Sequence, residues 1–340
     1  MKSSRTPNLV LTTSPFLHTE ATTPKIMVEV VLTLVPVLLA ACWYFGVGVL
    51  LVVAAATLGA VGTEWFFFRK TQPGSLRDNS ALLTGLLLGL ILPPSFPLWM
   101  AFLGGVAGIG LGKLIRGGLG QNVFNPALVG RAFLQASFPT AITTWTAPEG
   151  GLLSIPSSLF SIPLMQASTD AVSAATPLGL AKFSKEFTDV FLLLIGKIGG
   201  SIGETSGLLL ILCAVWLAVR RIFDWRLPAS TVLSVVAFSG IFYLADSQAY
   251  PSPLFMVFSG GLLFGAVFMV TDPVTTPTTA KGAWIFGLGV GFLVVLIRLF
   301  GGLPEGVMYA ILLMNAVTPY INHYTQPKPF GGKLRSPEVA

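Results

Sequence analysis

The sequence predicts an all-α integral membrane protein with about ten transmembrane helices, some of them short or broken. Hydrophobic residues make up 53% of the 340 residues and charged residues only 10%, a balance far from that of soluble domains. Apolar stretches close to the roughly 20 residues that a helix needs to cross a bilayer recur along the chain. Because these stretches do not alternate with period two, as membrane β-strands would, we expect helices rather than a barrel.

The expected spans form two groups of five. The first span follows a polar segment and runs directly into the second, so no cleavable signal peptide is expected. Residues 79–112 carry no charge, and one helix over that length would be about 50 Å long. The prolines of "PPSFP" at 93–97 favour two short helices joined as a hairpin. The ten spans are 26–45, 47–68, 81–93, 99–112, 123–138, 207–219, 227–245, 254–271, 283–300 and 307–320.

Lysine and arginine residues determine the predicted orientation. With ten spans, Lys182, Lys185 and Lys197 face one side of the membrane, and the remaining loop and tail cations face the other. Because positive charge accumulates on the cytoplasmic side, both termini should be cytoplasmic and the loop from 139 to 189 extracytoplasmic. The cations assigned to the cytoplasmic side are Lys2, Arg5, Lys25, Arg69, Lys70, Arg77, Lys113, Arg116, Arg220, Arg221, Arg226, Lys281, Lys328, Lys333 and Arg335.

The loop between the fifth and sixth spans separates the two five-helix halves. Because five spans precede it, the second half should enter the membrane from the opposite side, as inverted repeats do. Sequence similarity between the halves is weak: "FLGGVAG" and "FSGGLLFG" look alike, but they fall in the fourth and eighth spans. The expected organisation is a cytoplasmic tail (1–25), the first half (26–138), the extracytoplasmic loop (139–206), the second half (207–321) and a second cytoplasmic tail (322–340).

The composition excludes several functional classes. Cys42 and Cys213 each lie within a hydrophobic run, which predicts neither a disulfide framework nor a metal site made by this chain alone. The net charge of +6 is typical of cytoplasmic loops rather than of a nucleic-acid-binding patch. No Walker loop and no Ser–His–Asp set is present, so we expect no complete active site in this chain. The glycine series "GVAGIGLG" at 105–112 lacks a preceding strand, which favours helix packing over dinucleotide binding.

Four polar, glycine- and proline-rich segments stand at the ends of predicted spans. Irregular backbone at that depth is tolerated where it lines a cavity, so the segments could surround a ligand. The alternative is that they form only turns and helix caps. The segments are "LRDNSALLTG" (76–85), "GLGQNVFNPALVGRAF" (118–133), "GKIGGSIGETSG" (196–207) and "MVTDPVTTPTTAKG" (269–282).

Charged residues inside the predicted spans are rare, because each is costly to insert. Arg131 belongs either to an ion path or cofactor site or to an interhelical ion pair, and the sequence favours neither. Arg298 lies two residues from the end of its span, which favours a structural role such as snorkelling to the interface. Glu29, Glu64 and Asp272 lie nearer to the ends of theirs.

Together these segments resemble a known family of membrane proteins. The chain is similar to the D subunit of the Rnf electron-transport complex, which is related to the B subunit of the sodium-translocating NADH:quinone oxidoreductase. The short segment before the first span favours the Rnf type over the quinone-reductase type. The shared blocks are "DNSALLTGLLLGLILPP", "GGLGQNVFNPALVGRAF", "DAVSAATPL", "GKIGGSIGETS" and "MVTDPVTTPTT".

The resemblance implies a covalently bound FMN, joined through its phosphate to a threonine hydroxyl in the loop between the halves. The matching residue is Thr176 in "SAAT", where Ala174 replaces the glycine that is usual in the attachment signal of sister subunits. A flavin neighbour is expected in "GGSIGETS", at the start of the sixth span, where backbone N–H groups favour a phosphate. The candidate neighbours of the flavin are Asp170, Ser173, Gly199, Gly200, Glu204, Thr205 and Ser206.

A second group of candidate residues is predicted on the cytoplasmic side. We expect "NPA" and "TDPVTTPTT" to lie together there. They would flank the inner end of the electron path or a second, non-covalent flavin (riboflavin). The residues are Asn125, Pro126, Arg131, Asp272 and Thr275.

The resemblance further implies a component of an oxidoreductase in the cytoplasmic membrane of a bacterium or archaeon. Such a component passes electrons across the membrane in a ferredoxin:NAD⁺ oxidoreductase, coupled to transport of Na⁺ or H⁺. Its partners would be subunits of the Rnf A, B, C, E and G types, including iron–sulfur and second FMN-carrying subunits, and no nucleic acid. The alternatives are the B-type component of the quinone reductase and a channel or secondary transporter without a redox cofactor, in which broken helices and paired halves also occur.

Overall fold

The computed structural model describes residues 22–69, 78–148, 151–163, 175–196, 198–204 and 206–327. Short 3₁₀ turns lie at Ser157–Phe160 and Ile202–Glu204. The α-helices of the described residues are α1 (Thr23–Phe45), α2 (Gly48–Phe68), α3 (Ser80–Leu90), α4 (Leu98–Ile109), α5 (Pro126–Ser137), α6 (Pro139–Thr143), α7 (Pro177–Gly179), α8 (Val190–Ile195), α9 (Gly207–Val219), α10 (Arg226–Ala245), α11 (Pro253–Phe258), α12 (Leu262–Phe264), α13 (Ala280–Phe300) and α14 (Val307–Thr325). Turns of π-helix extend α4 (Gly110–Leu114), α7 (Leu180–Ser184) and α12 (Gly265–Met269).

Four of the described helices, α1, α2, α10 and α13, are long and apolar enough to cross a membrane. Three shorter apolar helical stretches accompany them: Ser80–Leu90, Leu98–Leu114 and Gly207–Val219. The prediction of an all-α membrane protein with some short helices is thereby confirmed. The count of ten spans and the inverted relation of the halves stay predictions.

The hairpin predicted at residues 93–97 is confirmed. α3 ends at Leu90 and α4 begins at Leu98, because the prolines between them cannot continue a helix. The main-chain N–H of Ile202 donates to the carbonyl oxygen of Leu92 at 3.1 Å. The hairpin therefore contacts the glycine-rich segment between α8 and α9.

The eighth predicted span, 254–271, is broken rather than continuous. α11 ends at Phe258, and the helix resumes as α12 only at Leu262. Gly260 between them has a φ of 60°, a left-handed conformation that costs little without a Cβ. The break leaves backbone groups such as the Ser259 carbonyl available to partners outside the helix.

Glycines bring the long helices into close contact. α2 packs along α4, where a Cβ on Gly105 would clash with the carbonyl oxygen of Ala56. α10 packs along α13, where a Cβ on Gly287 would clash with the hydroxyl of Ser230. Small residues are typical of membrane helices that approach this closely. The predicted packing role of "GVAGIGLG" is therefore confirmed for Gly105.

Two of the described helices each pack between two others. α4 lies between α2 and α5, and α13 lies between α10 and α14. Helices that are far apart in sequence also pack together, because α5 contacts α14 and α1 contacts α9. Arg131 lies on α5, and Glu204 and Glu305 lie shortly before α9 and α14.

Candidate functional site

Thr176 stands at the start of the short helix α7. Its Oγ1 accepts a hydrogen bond from the N–H of Gly179 at 3.1 Å, and Pro177 begins the helix, so the residue acts as an N-cap. The side chain lines a cavity of about 600 Å³, which we call the Thr176 cavity. Other residues of its wall include Arg131, Gln135, Ile142, Thr143, Trp145, Phe183, Glu305, Met308 and Tyr309.

Aromatic side chains form part of the wall of the Thr176 cavity. Trp145, Phe183 and Tyr309 reach it from three separate segments of the chain. The volume lies within the range of roughly 300–1,000 Å³ that is typical of small-molecule sites. An apolar, aromatic wall with a few convergent polar groups is also typical of such sites, so the cavity can hold an organic ligand.

A smaller cavity of about 40 Å³ adjoins the Thr176 cavity. Of the predicted flavin neighbours, Gly199, Gly200 and Glu204 line it together with Thr176. The structure thus brings the glycine-rich segment next to the threonine, while the function of these residues stays a prediction. The remaining lining residues are Trp145, Pro177, Leu178, Ile198, Gly260, Pro304 and Glu305.

The other predicted neighbours of Thr176 are placed differently. Ser206 caps α9: its Oγ accepts from the N–H of Leu209 at 3.4 Å and donates to the carbonyl oxygen of Leu194 at 3.4 Å. It does not line either of the two cavities at Thr176. Three candidates lie outside the described residues: Asp170, Ser173 and Thr205.

Arg131 of α5 forms an ion-pair cluster in the wall of the Thr176 cavity. Its Nη2 donates to Oε2 of Glu305 at 2.8 Å, and its Nη1 lies 3.6 Å from Oε1 of Glu204. All three side chains are mostly buried. Proximity in sequence predicts a shared site for Arg131 and Asn125, but six residues of helix separate them by about 9 Å along α5, and Arg131 lines the Thr176 cavity instead.

Arg298 of α13 is buried beside the same cluster. Its Nη2 donates to the carbonyl oxygen of Ser259 at 2.9 Å, and its Nη1 donates to that of Met256 at 2.5 Å. Both carbonyls belong to the end of α11, where the helix breaks. Snorkelling to the interface is wrong for Arg298, because its side chain is only 4% exposed, and its structural role stays a prediction.

Glu305 is the member of the cluster that the sequence prediction missed. It stands in the loop between α13 and α14, and its Oε1 accepts from the N–H of Gly261 at 2.9 Å. The available signal was a single acidic residue in "GGLPEG", two positions before a helix. A carboxylate at that position is favoured by the positive end of the helix dipole.

The two carboxyl groups of the cluster differ in their affinity for protons. Burial and, next, the charge of Glu305 raise the pKa of Glu204 from 4.5 to about 7, although Arg131 opposes both. Burial also acts to raise the pKa of Glu305, but Arg131 and Arg298 outweigh it and hold that pKa below its usual value. Near neutral pH the cluster therefore holds one ionised acid and one acid that can bind a proton.

Glu204 should make the stability of the protein depend on pH. Its pKa in the folded protein lies above the unfolded value of 4.5, so the folded state binds the additional proton. The contribution of this group is then fully present below pH 4.5 and is lost as the pH rises to about 7. We expect the wild type to lose thermal stability over this window relative to Glu204→Gln. Thermal unfolding in detergent measures the difference, and parallel curves for the two proteins would contradict the assignment.

Lys182 ties the α7 segment to the end of α13. Its Nζ donates to the carbonyl oxygens of Arg298 at 3.1 Å, of Leu303 at 2.9 Å and of Gly301. Carbonyl groups at the end of a helix lack partners within the helix, so a cation there is favourable. Burial lowers the pKa of Lys182. The contact holds α7 beside the loop that carries Glu305.

Asn125, Pro126 and Asp272 line a separate cavity of about 70 Å³, which we call the Asn125 cavity. Asn125 caps α5 by accepting from the N–H of Ala127 at 3.0 Å. Asp272 accepts a hydrogen bond from Oγ1 of Thr275 at 3.1 Å. The structure thus brings "NPA" and "TDP" together, and the role predicted for them stays a prediction.

Lys113 lies in the wall of the Asn125 cavity, although the sequence predicts a cytoplasmic loop at this position. It is 1% exposed, and its Nζ donates to Oε1 of Glu64 at 2.7 Å and to Oγ of Ser80 at 2.5 Å. Oδ2 of Asp78 lies 3.7 Å away. The π-helical turn continues α4 beyond the predicted end of the span, and the acidic partners make the burial of the charge tolerable.

Known proteins are similar to this chain over nearly its whole length. Residues 10–331 match the sequence model of the NQR2, RnfD, RnfE family. The chain is 40% identical over 332 residues to the D subunit of the proton-translocating ferredoxin:NAD⁺ oxidoreductase complex of Clostridium ljungdahlii, with 94% of this chain and 96% of that protein covered. It is 37% identical over 345 residues to the D subunit of the ion-translocating oxidoreductase complex of Yersinia pseudotuberculosis (95% and 98% covered). The protein of the same description from Pseudomonas aeruginosa is 39% identical over 327 residues (94% and 95% covered). With this coverage and identity, the chain belongs to the NQR2, RnfD, RnfE family.

Proposed function

We propose that this protein is the D-type membrane component of an ion-translocating ferredoxin:NAD⁺ oxidoreductase and that it carries FMN bound covalently to Thr176. The relatives described above bear the names of subunits of ion-translocating oxidoreductase complexes. The observation that supports the cofactor is the position of Thr176, whose hydroxyl stands at a large cavity with an aromatic wall.

The residues around Thr176 fit a flavin mononucleotide. A cavity of about 600 Å³ is large enough for a tricyclic ring. Trp145, Phe183 and Tyr309 offer faces on which such a ring can stack. Arg131 offers guanidinium N–H groups, which are donors for carbonyl oxygens of a ring.

Each residue would have a distinct task in holding the cofactor. FMN, when bound, supplies electron transfer between a partner's redox centre and the next carrier. Thr176 would anchor it through a phosphoester, and Trp145 and Phe183 would keep water away from the ring. Arg131 would place a positive charge beside the ring. This charge would stabilise the reduced ring, which is more negative, more than the oxidised ring.

The wider proposal concerns the membrane and the complex. Ten helices in two inverted halves would cross the cytoplasmic membrane of a bacterium or archaeon, with both termini cytoplasmic and Thr176 extracytoplasmic. Subunits of the Rnf A, B, C, E and G types would exchange electrons with this one, and the electron flow would drive Na⁺ or H⁺ transport. Asn125, Pro126 and Asp272 would flank the inner end of the electron path at the Asn125 cavity, whose volume of about 70 Å³ is too small to enclose a flavin.

Thr176→Val should abolish covalent attachment of the flavin. Valine keeps the shape of the side chain but removes the hydroxyl that would form the phosphoester. The protein is produced in cells that possess the flavin-attaching enzyme, denatured, separated on a gel and viewed under ultraviolet light. We expect the wild-type band to fluoresce and the band of the variant to be dark.

Thr143→Val is the matched control for this experiment. Thr143 lines the same cavity, and its Oγ1 donates to the carbonyl oxygen of Pro139 at 2.7 Å. This variant should remain fluorescent. Fluorescence of Thr176→Val would show that the flavin is attached elsewhere, and a dark wild-type band would favour a transporter without a redox cofactor.

A further inference from the structure

Oε1 of Glu204 and Oε1 of Glu305 converge on the position that a Cβ of Gly261 would take. A Cβ on Gly261 would clash with Oε1 of Glu204 and would lie 2.6 Å from Oε1 of Glu305, so only glycine leaves room for both. The Gly261 N–H donates to Oε1 of Glu305 at 2.9 Å. Two carboxyl groups that converge in this way cannot both ionise without strong repulsion, so they favour holding one proton between them.

Oε1 of Glu204 lacks the partners that a buried carboxylate needs. Within the described part of the chain it accepts no hydrogen bond. The Nη1 atom of Arg131 is 3.6 Å away, beyond hydrogen-bond distance. An ionised carboxylate here would be compensated by the charges of Arg131 and Arg298 but not by a hydrogen bond to Oε1, whereas a protonated carboxyl is neutral and becomes a donor. The buried hydroxyl of Ser259 also lacks a partner in the described chain.

The charges around Glu204 make its protonation depend on the charge in the adjoining Thr176 cavity. Arg131 from α5 and Arg298 from α13 are cationic, and Glu305 from the loop before α14 is anionic. Lys182, the other cation nearby, is bound to carbonyl groups at the end of α13. With Glu204 protonated, the two arginines exceed the one carboxylate; with Glu204 ionised, the charges balance. A negative charge in the cavity and a proton on Glu204 therefore stabilise each other.

We propose that Glu204 and Glu305 form a redox-linked proton site, which takes up one proton when an electron reaches the Thr176 cavity. The inference rests on the proposed function: FMN held on Thr176 would supply the electron-accepting chemistry, and a reduced iron–sulfur or flavin centre of a neighbouring protein in the complex would be the electron donor. A hydronium ion in the water of the cavity supplies the proton: its O–H bond breaks, and a new O–H bond forms on Glu204. When the electron leaves, the proton returns to water.

Infrared difference spectroscopy of the full-length protein tests the proposal. Spectra of the dithionite-reduced protein minus the oxidised protein are recorded in H₂O and in D₂O. We expect reduction to produce one carbonyl band of a protonated carboxyl group, which shifts in D₂O. The band should be absent in Glu204→Gln and present at a changed frequency in Glu204→Asp. Glu29→Gln, which alters a carboxyl group paired with Arg220 instead, should leave the band unchanged.

Two further measurements separate this proposal from the proposed function. In-gel fluorescence shows whether each variant carries the flavin. In the flavin-free Thr176→Val protein, the same carboxyl band should disappear as the pH rises through neutrality, and it should be absent in Thr176→Val/Glu204→Gln. A dark wild-type gel band together with this titration would refute the flavin but support the proton site. If the flavin is attached and no D₂O-sensitive carboxyl band responds to reduction, or if the band survives in Glu204→Gln, the proton site is wrong.

Discussion

Replacing Arg131 with methionine should lower the free energy of unfolding by about 3–5 kcal/mol, the cost of breaking a buried ion pair from one side. Arg131 is the residue that pairs with both Glu204 and Glu305, and all three side chains are mostly buried. Methionine fills a similar volume but leaves the ionised Glu305 without its guanidinium partner. The shift in the unfolding midpoint of the detergent-solubilised protein measures the effect.

Two further variants test whether the loss of stability comes from the unpaired buried charge. Arg131→Met/Glu305→Gln should recover much of the lost stability, because replacing both partners of a buried pair is often nearly neutral. Arg220→Met removes an arginine from an ion pair with Glu29, but Arg220 is 50% exposed, so we expect little change. Equal destabilisation by Arg131→Met and Arg220→Met would contradict the buried cluster.

Gly105→Ala should destabilise the protein by about 3 kcal/mol, the upper end of the usual cost of overpacking. The added methyl group would clash with the carbonyl oxygen of Ala56 and would lie 2.7 Å from the nitrogen of Ala60. Both are backbone atoms, so no side chain can rotate to relieve the contact, and α2 and α4 must separate. The fraction of protein that remains monodisperse after heating in detergent measures the loss.

Gly62→Ala is the matched control for Gly105→Ala. Gly62 also lies in a helix of this pair, but nothing lies within 4 Å of the position that its Cβ would take. Alanine is a better helix former than glycine, so this variant should be unchanged or more stable by up to about 1 kcal/mol. If both alanine variants behaved alike, the close packing of α2 on α4 would not be correct.

Local features of the sequence were sufficient to predict part of the fold. Apolar length and the lack of alternation predicted helices, and the prolines at 93–97 predicted the turn between α3 and α4. The break between α11 and α12 was not predicted, because the "SGG" that causes it is also typical of small residues at a helix crossing. Gly105 packs against a neighbouring helix, whereas Gly260 ends one, and the residues alone do not distinguish the two uses.

The local sequence was also insufficient to predict the surroundings of the charged residues. Lys113 follows an apolar run, which predicts a loop, but Glu64, Asp78 and Ser80 from other helix ends make its burial possible. Proximity in sequence groups Arg131 with Asn125, and the packed helices separate them. The direction in which a helix points each side chain depends on its neighbours, so the group to which Arg131 belongs required the packed structure.

The amino-acid sequence was enough to predict an α-helical membrane protein and, through its family resemblance, to single out the hydroxyl of Thr176. Those conclusions rest on composition and on short motifs, which are local properties of the chain. The cavity at Thr176 and the cluster of Arg131, Glu204 and Glu305 depend on segments far apart in sequence. These residues become neighbours only when the helices pack, because packing determines both the burial and the direction of each side chain.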